Sequence, residues 1–554
     1  MVELIWIAAF VAFALWWYII ADLEKAGILK KYNMTAIGPI LMLRTFRGQG
    51  FLDWLAKPKG LWRVVTLLGM PIVLGSMVLM LVLFIGMDFL MLANIESVPT
   101  PGPANAPQNI IAIPGLNQFI PFWWGWIALI VAMAVHEFGH AILAKVENIK
   151  VNSLGIILMP VPIGAFAELD EEQMFGTKSE GKTADILGPM ETKAPGEGKR
   201  KATSRQLTSI LSAGVIANFF VAFLAFALLF GPVLGSVAAT TSDVIVYDVA
   251  PNSSAYDAGV RANFIVNSVG GMNVTSPEQF NAALRSATGQ SVAISGLLDN
   301  KPVSYVVPVN GTSGVYVSDI VNDDKYPAKA AGIAQNMRIV AIDGTPIADR
   351  AAFTDYMNHT APNQSIVLGM AYQNNTMVNT TVVLAQGPEG QSYIGIYTVD
   401  NPLGISARSF ASGYLGGLKN MPFSLTGWLR IFVLPVLQFS GDDPGFSIFQ
   451  GQFSSLFHPV GIAASFGSAV YSLSECLFWI GWLNLNVGLF NCLPMIPLDG
   501  GHVFREIVRR FLDPVIRDPA RKEKITGTIV NGFAVTLFAA ILFMMLAPYI
   551  VHGI

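Results

Sequence analysis

An HExxH pentad set inside an apolar run constrains this chain more than any other feature. The stretch Val131-Ala-Met-Ala-Val-His136-Glu137-Phe-Gly-His140 belongs to an apolar segment that begins near Phe122. On a helix, residues four apart stand one turn apart on the same face, so two neutral imidazoles can grip one metal ion. Glu137, next along the chain, lies beside the open coordination position. A Zn²⁺ held this way lowers the pKa of a coordinated water, and a neighbouring carboxylate accepts that water's proton. The competing readings are a chance pentad or two polar residues in a bundle core. Ionisable groups inside a membrane segment are expensive and functional by default, which favours the metal site. A soluble zinc peptidase would not bury its motif in such a run. The pattern points to hydrolysis within a membrane.

Composition agrees. The chain is 53% hydrophobic and 13% charged, which predicts several spanning helices rather than one soluble core. A net charge of −3 points to no nucleic-acid partner. Cys476 and Cys492 are too few and too embedded for a disulfide framework, and are expected to fill apolar space.

Taken in order, residues 4–20 are apolar and Trp-rich, and are expected to form a retained helix rather than a cleaved leader. Residues 22–63 carry eight Lys/Arg against three acids, with Gly and Pro breaks. A second apolar stretch spans 64–94, residues 95–116 have no basic residue, and a third span over about 119–145 carries the pentad. The positive-inside rule puts 22–63 in the cytoplasm and 95–116 outside, with the histidines nearer the cytoplasmic face. Ile156–Glu168 reads as short strands or a hairpin, and 170–203 as a charged, mobile loop. A fourth span, 206–232, contains Ala213-Gly214-Val-Ile-Ala-Asn218, with Asn218 read as glue between helices. Residues 411–440 are apolar but broken by Gly and Pro, and are read as interfacial or re-entrant. Residues 460–492 cross inward, 500–527 bear seven Lys/Arg against four acids in the cytoplasm, and 528–551 cross out.

Between 240 and 400 the character is soluble. Ala258-Gly259 through Gly271 returns 73 positions later as Ala331-Gly332 through Gly344, and Phe280 corresponds to Phe353. Each copy resembles a PDZ domain, with Asn263 and Asn336 where that family usually has Gly. Asn tolerates the left-handed conformation that Gly would supply there. Seven Asn-x-Ser/Thr sequons, at Asn252, Asn273, Asn310, Asn358, Asn363, Asn374 and Asn379, fit an extracytoplasmic face.

A catalytic zinc needs a third protein ligand. Asn491-Cys-Leu-Pro494-Met-Ile-Pro497-Leu-Asp499-Gly500-Gly501 offers Asp499, which parity brings to the membrane side of His136 and His140. The alternative for Asp499 is an ordinary helix N-cap. His458 and His502 are weaker ligand candidates. The pentad, the Ala-Gly-x-x-x-Asn element and Asn491-x-x-Pro-x-x-x-x-Asp499-Gly together resemble the site-2 proteases. That resemblance implies His136, His140 and Asp499 as zinc ligands, Glu137 as general base, and Asn491 in substrate positioning or oxyanion stabilisation. Val215 stands where the family usually has Pro.

The fold class expected is a multi-pass α-helical membrane protein with an inserted pair of soluble α/β PDZ-like domains. Its parts are an N-terminal membrane region with a basic loop (1–118), the first part of the metalloprotease core (119–235) and PDZ-like domains at 240–310 and 311–400. An interfacial segment (405–458) and the second part of the core with Asp499 (459–554) complete it. The activity implied is zinc-dependent cleavage of transmembrane protein substrates in the cell membrane, embedded in its lipid bilayer, with the PDZ-like pair selecting substrates. A metal transporter or a non-catalytic scaffold is the rival class.

Overall fold

The structure, a computed structural model, describes residues 2–46, 48–95, 98–109, 112–159, 161–175, 201–239, 244–249, 253–286, 291–298, 301–309, 315–321, 325–335, 337–348, 350–372, 376–387, 390–399, 403–409, 411–437, 447–449 and 456–553. Most of the charged stretch after Phe175, namely 176–200, lies outside the described residues. So do Asn252, Asn310, Asn336, Asn374, and 438–446 and 450–455 of the segment expected at the interface. The chain divides into two units. One comprises residues 1–231, 428–447 and 472–554, and the other 232–427 and 448–471.

The first unit is helical with one sheet. Helix α1 (Val2–Lys25) covers the first apolar run. Its Trp16 indole donates to the Pro39 carbonyl, 2.7 Å away, in the turn between strands β1 (Met34–Ile37) and β2 (Ile40–Thr45). These strands arise inside the stretch read only as a basic loop. After α2 (Gln49–Ala56) comes α3 (Lys59–Ala93), 35 residues long and therefore longer than a perpendicular crossing needs. Helix α4 (Phe122–Val146) ends where Asn148 turns left-handed at φ 60°. Strands β3 (Val151–Met159) and β4 (Val161–Leu169) form the expected hairpin. They join the first hairpin in one antiparallel sheet of order β1-β2-β3-β4, with Leu43 opposite Ile156.

Helix α5 (Ser204–Leu228) starts on a capping box. The Thr203 hydroxyl takes the Gln206 N–H, and Gln206 Oε1 takes the Thr203 N–H, so two orphan donors are satisfied. Near the chain's end, α6 (Ala469–Asn491), α7 (Asp499–Leu512) and α8 (Pro519–His552) complete the unit. Among the described residues, α3, α4, α5 with its extension to Val233, α6 and α8 are five helices long and apolar enough to cross a membrane. The two helices within 411–440, Ala411–Asn420 and Leu425–Leu437, are too short to cross. Arg63 near the start of α3 pairs with Glu147 just past α4 at 3.1 Å, while His552 at the end of α8 contacts the Val98 carbonyl at 2.8 Å. The bundle therefore has two polar ends.

The second unit holds two lobes of one topology. The first sheet contains β5 (Val244–Val249), β6 (Ile265–Val269), β7 (Ser291–Leu298) and β8 (Lys301–Pro308). The second contains β9 (Val315–Ile320), β10 (Arg338–Ile342), β11 (Ser365–Ala371), β12 (Met377–Val383) and β13 (Ile396–Val399). A last strand, β14 (Ile405–Ser409), returns to the first lobe and pairs with β5. The orders β8-β7-β6-β5-β14 and β12-β11-β10-β9-β13 are the same path walked twice. The lobes are PDZ-like, and the second is inserted between the fourth and fifth strands of the first. This differs from the serial ranges 240–310 and 311–400. The repeat preserves the local turn and strand but says nothing about a short fifth strand parked beyond the neighbouring lobe. Asn263 is left-handed at φ 69°, as its place in the turn predicts. The described sequon residues Asn273, Asn358, Asn363 and Asn379 are all exposed.

Leu403 and Ile405 are fully buried in the first lobe's core, beside Phe264 and Phe280. Each contributes about 2 kcal/mol of burial. A fragment of residues 244–309 is therefore expected to give a collapsed amide NMR spectrum, whereas 244–409 and 315–399 give dispersed ones. Equal dispersion for 244–309 would remove β14 from the first lobe's essential core.

Candidate metal centre

Three elements converge on one point in the first unit. Helix α4 puts His136 and His140 on one face near its polar end, both buried. His140 and His136 stand seven and eleven residues from Glu147 at that end, so they lie about 10 and 16 Å inside it at 1.5 Å per residue. Helix α5 crosses α4 at backbone contact. A Cβ on Gly139 would stand 2.6 Å from the Ala213 carbonyl oxygen, and one on Gly214 would stand 2.4 Å from His140 Nε2. The Ala213-Gly214 pair is thus the floor of the site, and no larger residue fits at 214.

Helix α7 brings the third group. Pro494 and Pro497 break the chain after α6, and the loop folds back over the first turn of α7. Cβ atoms on Gly500 and Gly501 would lie 2.4 Å from the Cys492 carbonyl and 2.5 Å from the Ile496 nitrogen. Two glycines after the aspartate are what let the loop close. The helix N-cap is Leu498, so Asp499 is not the cap. Its carboxylate turns inward instead. Oδ2 lies 3.0 Å from His136 Nε2 and 3.2 Å from His140 Nε2, and the two Nε2 atoms are 3.2 Å apart.

The tautomers decide what this triangle is. His140 Nδ1 donates to the Ile210 carbonyl at 2.7 Å, which leaves its Nε2 a bare lone pair. Asp499 Oδ2 is buried without a hydrogen-bond partner. Electron-rich atoms facing one another without a proton between them repel, and a cation removes the repulsion. A tetrahedral ion with bonds of about 2.0–2.1 Å has ligand atoms about 3.3 Å apart, close to the three observed separations. The residues present fit a metal, and they are the His–His–Asp group among the described residues able to hold one.

Outside the triangle, Asn218 is fully buried, with its amide 3.4 Å from His136 Nδ1 and its oxygen unpartnered. A half-turn of the amide presents that oxygen to Nδ1–H, the orienting contact a ligating imidazole needs. Read from the sequence as glue between helices, Asn218 reaches the site itself. Ile210, whose carbonyl orients His140, carries no signal in sequence because a backbone group does the work. Glu137, half-buried, lies beside the Ala167 backbone on β4, the edge strand of the order β1-β2-β3-β4. Asn491 ends α6, half-buried, with no hydrogen bond to the triangle among the described residues. His502 is half-buried on α7 outside the triangle, and His458 is exposed in the second unit.

Residues 124–540 match peptidase family M50. The chain is 28% identical over 312 residues to an uncharacterised protein of Methanocaldococcus jannaschii, covering 55% of this chain and 72% of that protein. It is 23% identical over 429 residues to the regulator of sigma-E protease RseP of Salmonella typhimurium, covering 68% and 88%. Protease RseP of Yersinia pestis is 22% identical over 434 residues, covering 69% and 89%. A solved PDZ domain of an SdrC-like protein from Listeria monocytogenes, 23% identical, aligns over 16% of this chain and 90% of that domain with a TM-score of 0.15. The family match spans well over half of the 554 residues and contains both halves of the metal-holding group, and the chain belongs to peptidase family M50, as an intramembrane zinc metalloendopeptidase of the site-2 protease type.

Proposed function

We propose that the enzyme cleaves transmembrane segments of membrane-protein substrates in regulated intramembrane proteolysis. In this reading His136, His140 and Asp499 hold the zinc and Glu137 is the general base. The observation that carries it is the triangle of ligand atoms, 3.0–3.2 Å apart and buried about 10 Å or more inside a polar end of the bundle. Bound zinc would supply Lewis-acid activation of water and of the scissile carbonyl.

The protein's own groups do the rest. A transmembrane substrate is helical, and its amides are shielded by its own hydrogen bonds. It must unwind locally, and bare backbone in a membrane needs protein or water to satisfy it. The free edge of β4 offers a row of backbone groups to such a strand, and this edge supports the reading because Ala167 on it already touches Glu137. The Glu137 carboxylate takes the attacking water's proton and can return it to the departing amine. Ile210 and Asn218 hold the imidazoles in the ligating tautomer. Asn491, at the end of α6 and eight positions before Asp499, is assigned to substrate positioning or to the oxyanion.

The proposed setting is the cell membrane, with the site towards the cytoplasm and the PDZ-like lobes outside. Supporting it, the basic stretches 22–63 and 500–527 flank the helix ends nearest the site. The lobes are assigned selection, by excluding bulky ectodomains or capturing a new C-terminal carboxylate.

In purified, zinc-loaded protein, Glu137→Gln should retain metal by atomic absorption and lose about 10³-fold or more in peptide cleavage. Turnover near wild type would end the general-base assignment. Asp499→Ala leaves two imidazoles, and should weaken zinc binding by more than the roughly 100-fold that loss of an outer contact costs. Unchanged affinity in a chelator competition would remove Asp499 from the ligand set.

Both lobes leave together when residues 244–409 are deleted, because Val244 and Ser409 are register partners on adjacent strands and a short flexible linker spans them. This variant should keep zinc and still cleave a short transmembrane peptide. It should also cut substrates whose intact ectodomains the full chain refuses. Zinc retained with neither substrate class cut would show that the lobes are needed for catalysis.

A further inference from the structure

At the polar end of the bundle lies a cavity of about 520 Å³ whose walls are of two kinds. Its lining combines Arg63, Arg205 and Arg510 with apolar Leu67, Met70 and Leu143. Position in the helices fixes its depth. Arg63 is the fifth residue of α3, Arg205 the second of α5, and Glu147, also in the lining, directly follows α4. Three spans start or stop here, at the level where lipid headgroups lie.

Along α3 the lining runs Arg63, Leu67, Met70, Leu74, at spacings of four, three and four. That is one helical face. At 1.5 Å per residue it descends about 16 Å from its charged top, roughly the depth of one leaflet's hydrocarbon. Arg63 and Leu67 are 60% and 62% exposed, so the face opens sideways, towards the lipid, rather than into the protein.

The charges at the mouth are not balanced internally. Glu147 is held by Arg63 at 3.1 Å and by the Gln206 amide at 2.9 Å. Glu506 accepts from the Ser204 hydroxyl at 2.7 Å and lies 3.6 Å from Arg509. Neither Arg205 nor Arg510 has an ion pair among the described residues, and Asp513, near Arg510, is held by Lys522 at 2.6 Å. Two guanidiniums stand free above an apolar furrow.

We infer that this cavity binds an anionic phospholipid, with its phosphodiester headgroup on Arg205 and Arg510 and an acyl chain along Leu67, Met70 and Leu74. Arginine forks match phosphate oxygens in pairs, and basic pockets between spans are suited to such headgroups. The occupant also touches the elements that build the metal centre. Leu143 is three residues past His140, Ser209 adjoins Ile210, and Glu506 lies on the helix that begins with Asp499. A bound lipid would clamp α4, α5 and α7 together.

The test uses the full-length, zinc-loaded protein in a neutral detergent, reading thermal unfolding and lipid retained by native mass spectrometry. Phosphatidylglycerol should raise Tm by about 3 °C or more and remain bound one per chain, while phosphatidylcholine does neither. The double variant Arg205→Gln, Arg510→Gln should lose the phosphatidylglycerol effect with zinc content unchanged. Met70→Trp, which keeps both arginines but fills the furrow, should lose it as well. Equal shifts from the two lipids, or an undiminished shift in both variants, overturns the proposal. A shift of the same size from inorganic phosphate alone also overturns it, because the acyl chain would then contribute nothing.

Discussion

Everything in the membrane unit is subordinate to keeping two imidazole lone pairs and one carboxylate oxygen within 3.2 Å of each other. Left alone, such atoms repel, and a buried carboxylate without a partner is among the most costly groups a protein can hold. Rigid backbone on every side supplies the constraint. Gly139 and Gly214 let α4 and α5 touch, and Gly500 and Gly501 let the proline loop close over α7. Glu506 on α7 then reaches the Ser204 hydroxyl at the head of α5, tying the two helices that meet at the triangle. Gly139, Gly500 and Gly501 are each fixed by a backbone atom, and Gly214 by the His136 and His140 rings themselves.

The grouping of His136, His140 and Asp499 was legible in the sequence because its signal is local. His136 and His140 need only helical spacing, and Asp499 needs only a proline break and membrane parity. The parts that were not legible depend on pairing between distant segments. Strands β1 and β2 sit among the basic residues of 22–63, where charge masked the alternation, and their place is set by β3 across more than a hundred residues. Asn218 has the look of any polar group between helices until the crossing of α5 over α4 aims it at His136. The fifth strand of the first lobe, β14, is five residues long and separated from its partners by a whole second lobe. No periodicity within either repeat could announce it.

Strand β4 packs against α4 and meets Glu137 at Ala167. Strand β4 lies at the end of its sheet, and an open edge inside a membrane protein is normally a liability, since its backbone groups go unsatisfied. Here the edge passes the carboxylate proposed as base. A strand laid along β4 would bring its carbonyls past the metal centre in extended form, which is the conformation that hydrolysis requires and a membrane helix denies. The extra hairpin β1–β2 backs this arrangement from the far side, and Trp16 of α1 ties that hairpin to a helix. The hairpin at one side of the sheet is thus anchored, and β4 stands at the other edge.

Nesting one lobe inside the other has a mechanical consequence. Two domains in series would enter the membrane core's sequence at one point and leave at another, separated by the length of the pair. With β14 returning to β5, the insertion instead begins and ends on neighbouring strands, with Val244 opposite Ser409. Opposed residues in an antiparallel ladder are about 5 Å apart, a separation almost any connection can bridge. The loop-closure constraint that the lobes impose on the membrane helices is therefore that of a short hairpin, although the insertion holds more than 160 residues. Such an attachment lets the lobes vary in size and binding preference while the helices that carry His136, His140 and Asp499 keep their packing.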